Sequence, residues 1–299
     1  MKKIVVVGSI NMDLIMETPR LPALGETLLG GPFSTAPGGK GANQSAACAR
    51  LGAEAVHIGR LGDDLFGRQL LEVLKDEGID TSGIAVTPDR SSGVAQICVA
   101  GGDNSIIVAP GANALLSARD VRDHRDLFRE ARAALFQLEV PLEAVTEGLR
   151  LARSEGALTI LNPAPWRPLP DETLALVDVF VPNAIELSQC AMTANREKAF
   201  EKLLETGVGA VVMTAGSDGA YFASSHRSGH VPAPSVNVVD STGAGDTFTG
   251  ALAVSLAEGH QLQEAVRFGV HAGALACTRL GALPAIPRRD EVEALLARS

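Results

Sequence analysis

Residues 240–250 read Asp240-Ser241-Thr242-Gly243-Ala244-Gly245-Asp246-Thr247-Phe248-Thr249-Gly250. Phe248, Leu252 and Leu256 then recur at every fourth position, which marks one apolar face of a helix. The Gly-rich turn therefore opens a helix. Gly243, Ala244 and Gly245 leave their backbone N–H groups bare, so a phosphate suits the positive end of that helix. Asp246 stands on the same turn. A carboxylate beside a phosphate is repulsive unless it has a task, such as taking a proton from a hydroxyl that attacks phosphorus. From this stretch alone, a first-turn acid that complements the helix dipole is an equal alternative.

Upstream, short apolar runs alternate with helical segments. Residues 4–7, 56–59, 135–138, 158–161, 179–181 and 210–214 read as buried strands, and 42–51, 65–77, 142–152, 171–176 and 197–205 as helices. Pro141 and Pro182 mark the ends of strand-like runs. This alternation predicts an α/β fold, a doubly wound, mostly parallel sheet with helices on both faces. Residues 12–37 and 94–110 break the rhythm, and the second reads as a hairpin turning at Ala100-Gly101-Gly102-Asp103. The expected division is an α/β domain of residues 1–11, 38–93 and 111–299 carrying a small β-sheet lid of residues 12–37 and 94–110. An ordinary edge hairpin is the alternative to a lid.

With 299 residues, 46% of them hydrophobic, the chain has ample core. A net charge of −9 without any Lys/Arg block argues against a nucleic-acid partner. Cys48, Cys98, Cys190 and Cys277 form no C-x-x-C pair and the histidines show no zinc-binding spacing, so free thiols are expected. No run reaches the roughly 18 apolar residues of a membrane span. The run at 4–7 behind Lys2-Lys3 is too short for a signal-peptide core. A soluble, cytoplasmic protein is expected.

Two further stretches carry chemistry. Pro37-Gly38-Gly39-Lys40-Gly41-Ala42-Asn43 places three glycines around a lysine at the start of a helix, which suits close backbone approach to a polar ligand. It is not a Walker A loop, because Ser34 stands where Gly is needed and Gly41 follows the lysine. Gly8-Ser9-Ile10-Asn11-Met12-Asp13 lies just past the first strand, where ligands of open α/β sheets bind. Asn11 and Asp13 share one side of an extended backbone and suit vicinal hydroxyls; a self-capping loop is the alternative. Glu139, Asn162-Pro163-Ala164-Pro165, Asn183 to Glu186 and Thr214 to Gly219 also follow strand-like runs, as the rim of such a site should. No G-x-G-x-x-G follows the first strand, which speaks against a dinucleotide-dependent dehydrogenase.

Together, Gly38 to Asn43 and Asp240 to Phe248 resemble the two signatures of the carbohydrate kinases of the ribokinase (PfkB) family, and the resemblance runs from Gly8 to Pro287. It implies a ribokinase-like fold and ATP-dependent phosphorylation of D-ribose at O5, with Mg2+ and a monovalent cation, usually K+. By the same resemblance, Asp246 matches the catalytic base and Gly243, Ala244 and Gly245 the anion hole. Asn11, Met12, Asp13, Gly39, Lys40, Gly41, Ala42, Asn43 and Glu139, with Asp246, match the sugar site. Asn183, Glu186, Thr214, Ala215, Gly216, Ser217, Asp218, Gly219, Gly245 and Val270 match positions near the nucleotide and its magnesium. Asp240, Thr242, Ala276, Arg279, Gly281 and Ala285 match the monovalent-cation site.

Two positions depart from the family pattern. Ala285 replaces a frequent Ser in the cation site, and Val270 stands where a His can flank adenine, with His271 about 100° further round the helix. The family also leaves open another sugar or a nucleoside as substrate (2-deoxyribose, fructose, adenosine), or a non-catalytic sugar sensor. Asn11 with Asp13 favours vicinal hydroxyls over a deoxy sugar, and an intact Asp246 turn speaks against a sensor. The resemblance implies a homodimer joined through the lid, and apolar Leu14, Ile15 and Ile97 would allow one.

Overall fold

The computed structural model describes residues 1–101 and 103–298, so Gly102 of the expected hairpin turn lies outside the described residues. The chain runs through β1 (Lys3–Val7), β2 (Asn11–Glu17), β3 (Phe33–Gly38), α1 (Lys40–Arg50), β4 (Glu54–Gly62), α2 (Leu65–Asp76), β5 (Asp80–Thr87), β6 (Gly93–Ala100) and β7 (Asp103–Ala109). It continues through α3 (Ala118–Asp123), β8 (Ala131–Phe136), α4 (Leu142–Ser154), β9 (Leu158–Leu161), α5 (Asp171–Leu174), β10 (Val179–Phe180), α6 (Ala184–Ala191), α7 (Arg196–Glu205) and β11 (Ala210–Thr214). It closes with β12 (Ala220–Ser224), β13 (Ser228–Val231), α8 (Ala244–Ala257), α9 (Leu262–Ala276) and α10 (Arg289–Leu296).

Nine strands form the large sheet in the order β13-β12-β11-β10-β9-β8-β1-β4-β5. All neighbours are parallel except β12 and β13, which add antiparallel at one edge. Strand alternation sends each face of β1 into a different core. Ile4 and Val6 pack with apolar residues of α1, α2, α8 and α9, whereas Val5 and Val7 pack with those of α4 and α7. The chain steps outward from β1 to β4 and β5, then returns to β8 on the other side. The sheet therefore changes direction between β1 and β8, and ligands of such sheets bind beyond the carboxyl ends of strands at that point.

The second sheet has four strands, β3-β2-β6-β7. Its inner end sits over the change of direction: Asn11 is paired with Gly38 on one side and Gly93 on the other. Its outer parts are open, with Phe33, Ile106 and Ile107 exposed and β7 exposed throughout.

The expected α/β architecture is present, with local differences. The strand expected at 135–138 ends at Phe136, so Gln137, Leu138 and Glu139 belong to the loop beyond it. The strand expected at 56–59 is longer, Glu54–Gly62. β5 and β13 carry mixed buried and exposed residues rather than continuous apolar runs, and so leave no strong strand signal in the sequence.

Candidate active site

At the start of α8, Gly243 takes a left-handed conformation (φ +73°), and no side chain caps the helix. A Cβ at Gly243 would lie 2.8 Å from Cα of Ala282, so only glycine fits that corner. The first-turn amides of Gly245 and Asp246 have no acceptor within the helix and are free to take an anion.

Asp246 is buried, 6% exposed, and both carboxylate oxygens are held from α1. Asn43 Nδ2 donates to Oδ2 at 2.9 Å and Gln44 Nε2 to Oδ1 at 3.0 Å. Gly250 makes this possible. A Cβ there would meet Cβ of Ala47 at 2.5 Å, so a side chain at 250 would push α8 away from α1.

α1 has no side-chain cap from Gly39, its own N-cap residue. Its opening amides are met from across the change of direction instead. Lys40 N–H donates to Glu139 Oε2 at 3.1 Å, Gly41 N–H to Ser9 Oγ at 3.3 Å, and Ser9 Oγ donates to Glu139. One cluster thus joins the ends of β1 and β8 to the start of α1. Beside it, Asn113 fixes Asn11: its Nδ2 donates to Asn11 Oδ1 at 2.8 Å and to the Ile10 carbonyl at 3.0 Å, and its Oδ1 accepts from Ile10 N–H at 3.0 Å.

Electrostatics ties these groups together. Burial pushes Asp13 up to about 7, with Glu139 and Asp246 adding to the shift and Lys40 opposing it. Burial alone would lower Lys40, but Asp246, Glu139, Glu186 and Asp13 outweigh it and hold the ammonium above its ordinary value. Burial also raises Glu186, against the Asn183 N–H and Lys40.

Two cavities adjoin Asp246. The first, about 130 Å3, is polar and is lined by Lys40, Asn162, Asn183, Glu186, Gly243 and Asp246 among others. The second, about 250 Å3, is mostly apolar and includes Gly216, Gly219, Phe248, Val270, Gly273 and Cys277. Both touch Thr214 and Gly245, so the open turn stands between a polar chamber and an apolar slot. A phosphate at the turn, with a polar acceptor on one side and a flat base on the other, fits this shape.

Not every residue singled out in the sequence converges here. Met12 lies between Asn11 and Asp13, but its side chain points to the other face of β2, into a groove with Thr35, Pro37 and Arg68. Ala42 is packed in the core, and Gly41 contributes backbone. Ala215, Ser217 and Asp218 line neither cavity, and Asp218 instead accepts from the Tyr221 hydroxyl at 2.5 Å. His271 lines neither; its Nδ1 donates to the Arg267 carbonyl at 2.8 Å.

The loops around Asp240 form a separate knot. Asp240 accepts from Thr242 N–H (2.9 Å), Thr242 Oγ1 (2.7 Å) and Gly281 N–H (2.8 Å). Burial opposes ionisation of Asp240, but these donors outweigh it and keep its carboxyl below the ordinary value. Ala276 and Ala285 are buried nearby in sequence, and Arg279 pairs with Glu291 at the surface. Among the described residues, no three His, Cys, Asp or Glu side chains gather as a metal site, and no helix is long and apolar enough to cross a membrane.

Gln44, Gln137 and Asn113 escaped the sequence reading. Gln44 directly follows the Gly-rich stretch, a signal that could have flagged it. Asn113 sits in a short 3-10 turn, Gly111–Leu115, which carries no motif.

An uncapped helix start with a buried carboxylate on it, set between a polar chamber and an apolar slot, is the arrangement of a kinase of small polar molecules. The model for pfkB family carbohydrate kinases matches residues 1–289, and the chain belongs to that family. It is 38% identical over 297 residues to a ribokinase of Bacillus subtilis (strain 168), covering 99% of this chain and 100% of that one. It is 34% identical over 301 residues to a deoxyribokinase of Salmonella typhi, covering 98% of each. The structure of Arabidopsis thaliana ribokinase complexed with ribose and ATP superimposes with a TM-score of 0.95 at 34% identity, covering 100% of both chains.

Proposed function

We propose that this chain is a ribokinase, transferring the γ-phosphoryl group of ATP to O5 of D-ribose to give ribose 5-phosphate and ADP. The observation that carries the reading is the placement of Asp246. Its carboxylate is held by Asn43 and Gln44, on the anion-binding turn and within electrostatic reach of the Asp13 and Lys40 cluster.

In this reading Asn11, Asp13, Lys40, Asn43 and Glu139 position the sugar. Asn43 Oδ1 is buried without a hydrogen-bond partner and offers an acceptor to a sugar hydroxyl. Asp246 takes the proton of the 5-hydroxyl as O5 bonds to the γ-phosphorus, and the bridging oxygen leaves with ADP. The Gly243 to Gly245 turn stabilises charge on the transferring group. The apolar slot holds the base, with Val270 on its wall.

Glu186 fits magnesium that arrives with ATP: its carboxylate lines the polar chamber and commits Oε2 to Asn183 N–H at 2.8 Å. Bound magnesium offsets phosphate charge. Asp240 fits a monovalent cation, because it stays anionic and its three donors leave a lone pair over. Such a cation, K+ by family resemblance, would tune the dipoles of the adjoining turn, with backbone groups near Ala276, Arg279, Gly281 and Ala285 completing its shell.

Residues 12–37 and 94–110 act as a lid that excludes water, and the exposed apolar strands of that sheet suit a homodimer joined lid to lid. Three half-buried free thiols, at Cys98, Cys190 and Cys277, suit a reducing cytoplasm. The test is ADP release with ATP, magnesium and ribose, 2-deoxyribose, fructose or adenosine, with and without potassium. Preference for ribose supports the reading; preference for another acceptor reassigns the sugar pocket, and silence on all of them overturns it.

A further inference from the structure

Asp246 is tied to a chain of buried amides. Gln44 Nε2 donates to Asp246 Oδ1 at 3.0 Å and also to Asn162 Oδ1 at 3.2 Å, while Gln44 Oε1 accepts from Gln137 Nε2 at 2.7 Å. Gln44 and Gln137 are both wholly buried. Asn162 in turn donates its Nδ2 to the Val181 carbonyl at 2.8 Å.

An amide side chain has one donor end and one acceptor end, so orientation is passed along such a chain. The Val181 carbonyl can only accept. It turns the nitrogen of Asn162 toward itself and leaves the Asn162 oxygen for Gln44. Gln137 presents a nitrogen from the opposite side. Asn162 and the Asp246 carboxylate therefore select one orientation of Gln44, with its donor end on Asp246, and Gln137, whose own Oε1 has no partner, follows by donating to the Gln44 oxygen. The reversed amide would set Gln44 Oε1 against a carboxylate oxygen.

We propose that Gln44 is a positioning residue for phosphoryl transfer, held in one amide orientation by Asn162, braced at its oxygen by Gln137, and fixing the direction in which Asp246 meets the acceptor hydroxyl. Gln137 touches neither Asp246 nor the polar chamber, and acts only through Gln44. A loosened Asp246 leaves sugar and nucleotide contacts intact while misaligning the reacting atoms, so the loss falls on turnover.

The proposal rests on the phosphotransfer reading, which wild-type turnover of ribose tests separately in the same assay. Gln44→Met keeps length and burial but has neither donor nor acceptor end. It is expected to lower kcat by roughly tenfold to a hundredfold, the scale of a small misplacement, with KM for ribose and ATP little changed. Gln137→Met should give a smaller kcat loss, again without a KM change. The double variant should be no slower than Gln44→Met, because Gln137 then has no Gln44 oxygen left to brace. An unchanged kcat in Gln44→Met, a loss that resides in KM, or single losses that multiply in the double variant would each overturn the proposal. If Gln44→Met does not fold, Gln137→Met decides: a lower kcat at constant KM supports the proposal and an unchanged kcat overturns it.

Discussion

Asn43 Nδ2 lies 2.9 Å from Asp246 Oδ2, although 203 positions separate the two residues. The start of α1 and the start of α8 therefore work as one unit, and a change at either residue is felt by the other.

That contact shapes the expected behaviour of Asp246→Asn. The new amide would bring a donor against Asn43 Nδ2 if Asn43 kept its orientation. Asn43 Oδ1 has no partner, so the Asn43 amide can turn over and accept instead. The variant should fold with a melting temperature close to that of the parent and bind ribose. Its kcat should fall by roughly 10²–10⁴, the scale of general-base catalysis. Steady-state kinetics beside a thermal melt check this; a variant that keeps most of its turnover would remove Asp246 from the role of base.

Ribose affinity should depend on pH through Asp13. Burial, then Glu139 and Asp246, push Asp13 up to about 7, so near neutrality the free site holds a substantial neutral fraction. With Asp13 in the proposed sugar site, sugar hydroxyls would donate to its ionised form, so binding should expel a proton. KM for ribose should rise as pH falls below about 7, and Asp13→Asn should flatten that dependence while weakening binding. The same shift acts on stability. Because the folded value lies above the unfolded one, the contribution of Asp13 to the ligand-free protein is fully present below pH 3.8 and lost as pH rises through about 7. Calorimetric titration of ribose in two buffers of different ionisation enthalpy reads the proton release directly; identical heats in both would refute it.

Two glycines crowd Asp13 and Asn11, the side chains proposed to hold the sugar. A Cβ at Gly38 would sit 2.4 Å from Asp13 Oδ2, and one at Gly93 would sit 2.1 Å from Asn11 Oδ1. Gly38→Ala and Gly93→Ala should each raise KM for ribose about tenfold or more, the equivalent of one displaced hydrogen bond to a polar or charged group. KM for ATP should stay near the parent value, since neither glycine borders the apolar slot. Asn113→Ala should behave alike, because it frees Asn11. Kinetics with each substrate varied in turn would separate this from general damage, which raises both constants.

Asp240 ties the loop before α8 to the loop after α9 through Gly281 N–H. Turnover should rise with potassium in the parent protein. Asp240→Ala removes the anion and all three hydrogen bonds, so it should abolish the potassium response and lower kcat. ADP release across a potassium titration, with choline keeping ionic strength constant, measures both effects. A response that survives in the variant would place the cation elsewhere.

Much of this molecule was legible in its residues because the signals are local. The alternation of β1 between two cores, the period of Phe248, Leu252 and Leu256, and the glycines that bare the turn before Asp246 depend on neighbours a few positions apart. Those patterns determined the α/β class, and the two long motifs determined the family. The tertiary structure alone decided which groups surround Asp246. Gln44 meets it only because Gly250 lets α8 approach α1, and Gln137 reaches Gln44 only because β8 lies beside β1. The grip of Asn113 on Asn11 follows likewise from how β2 is seated. A hydrogen bond between distant residues is set by the packing of whole elements, and no short-range pattern in the chain encodes that packing.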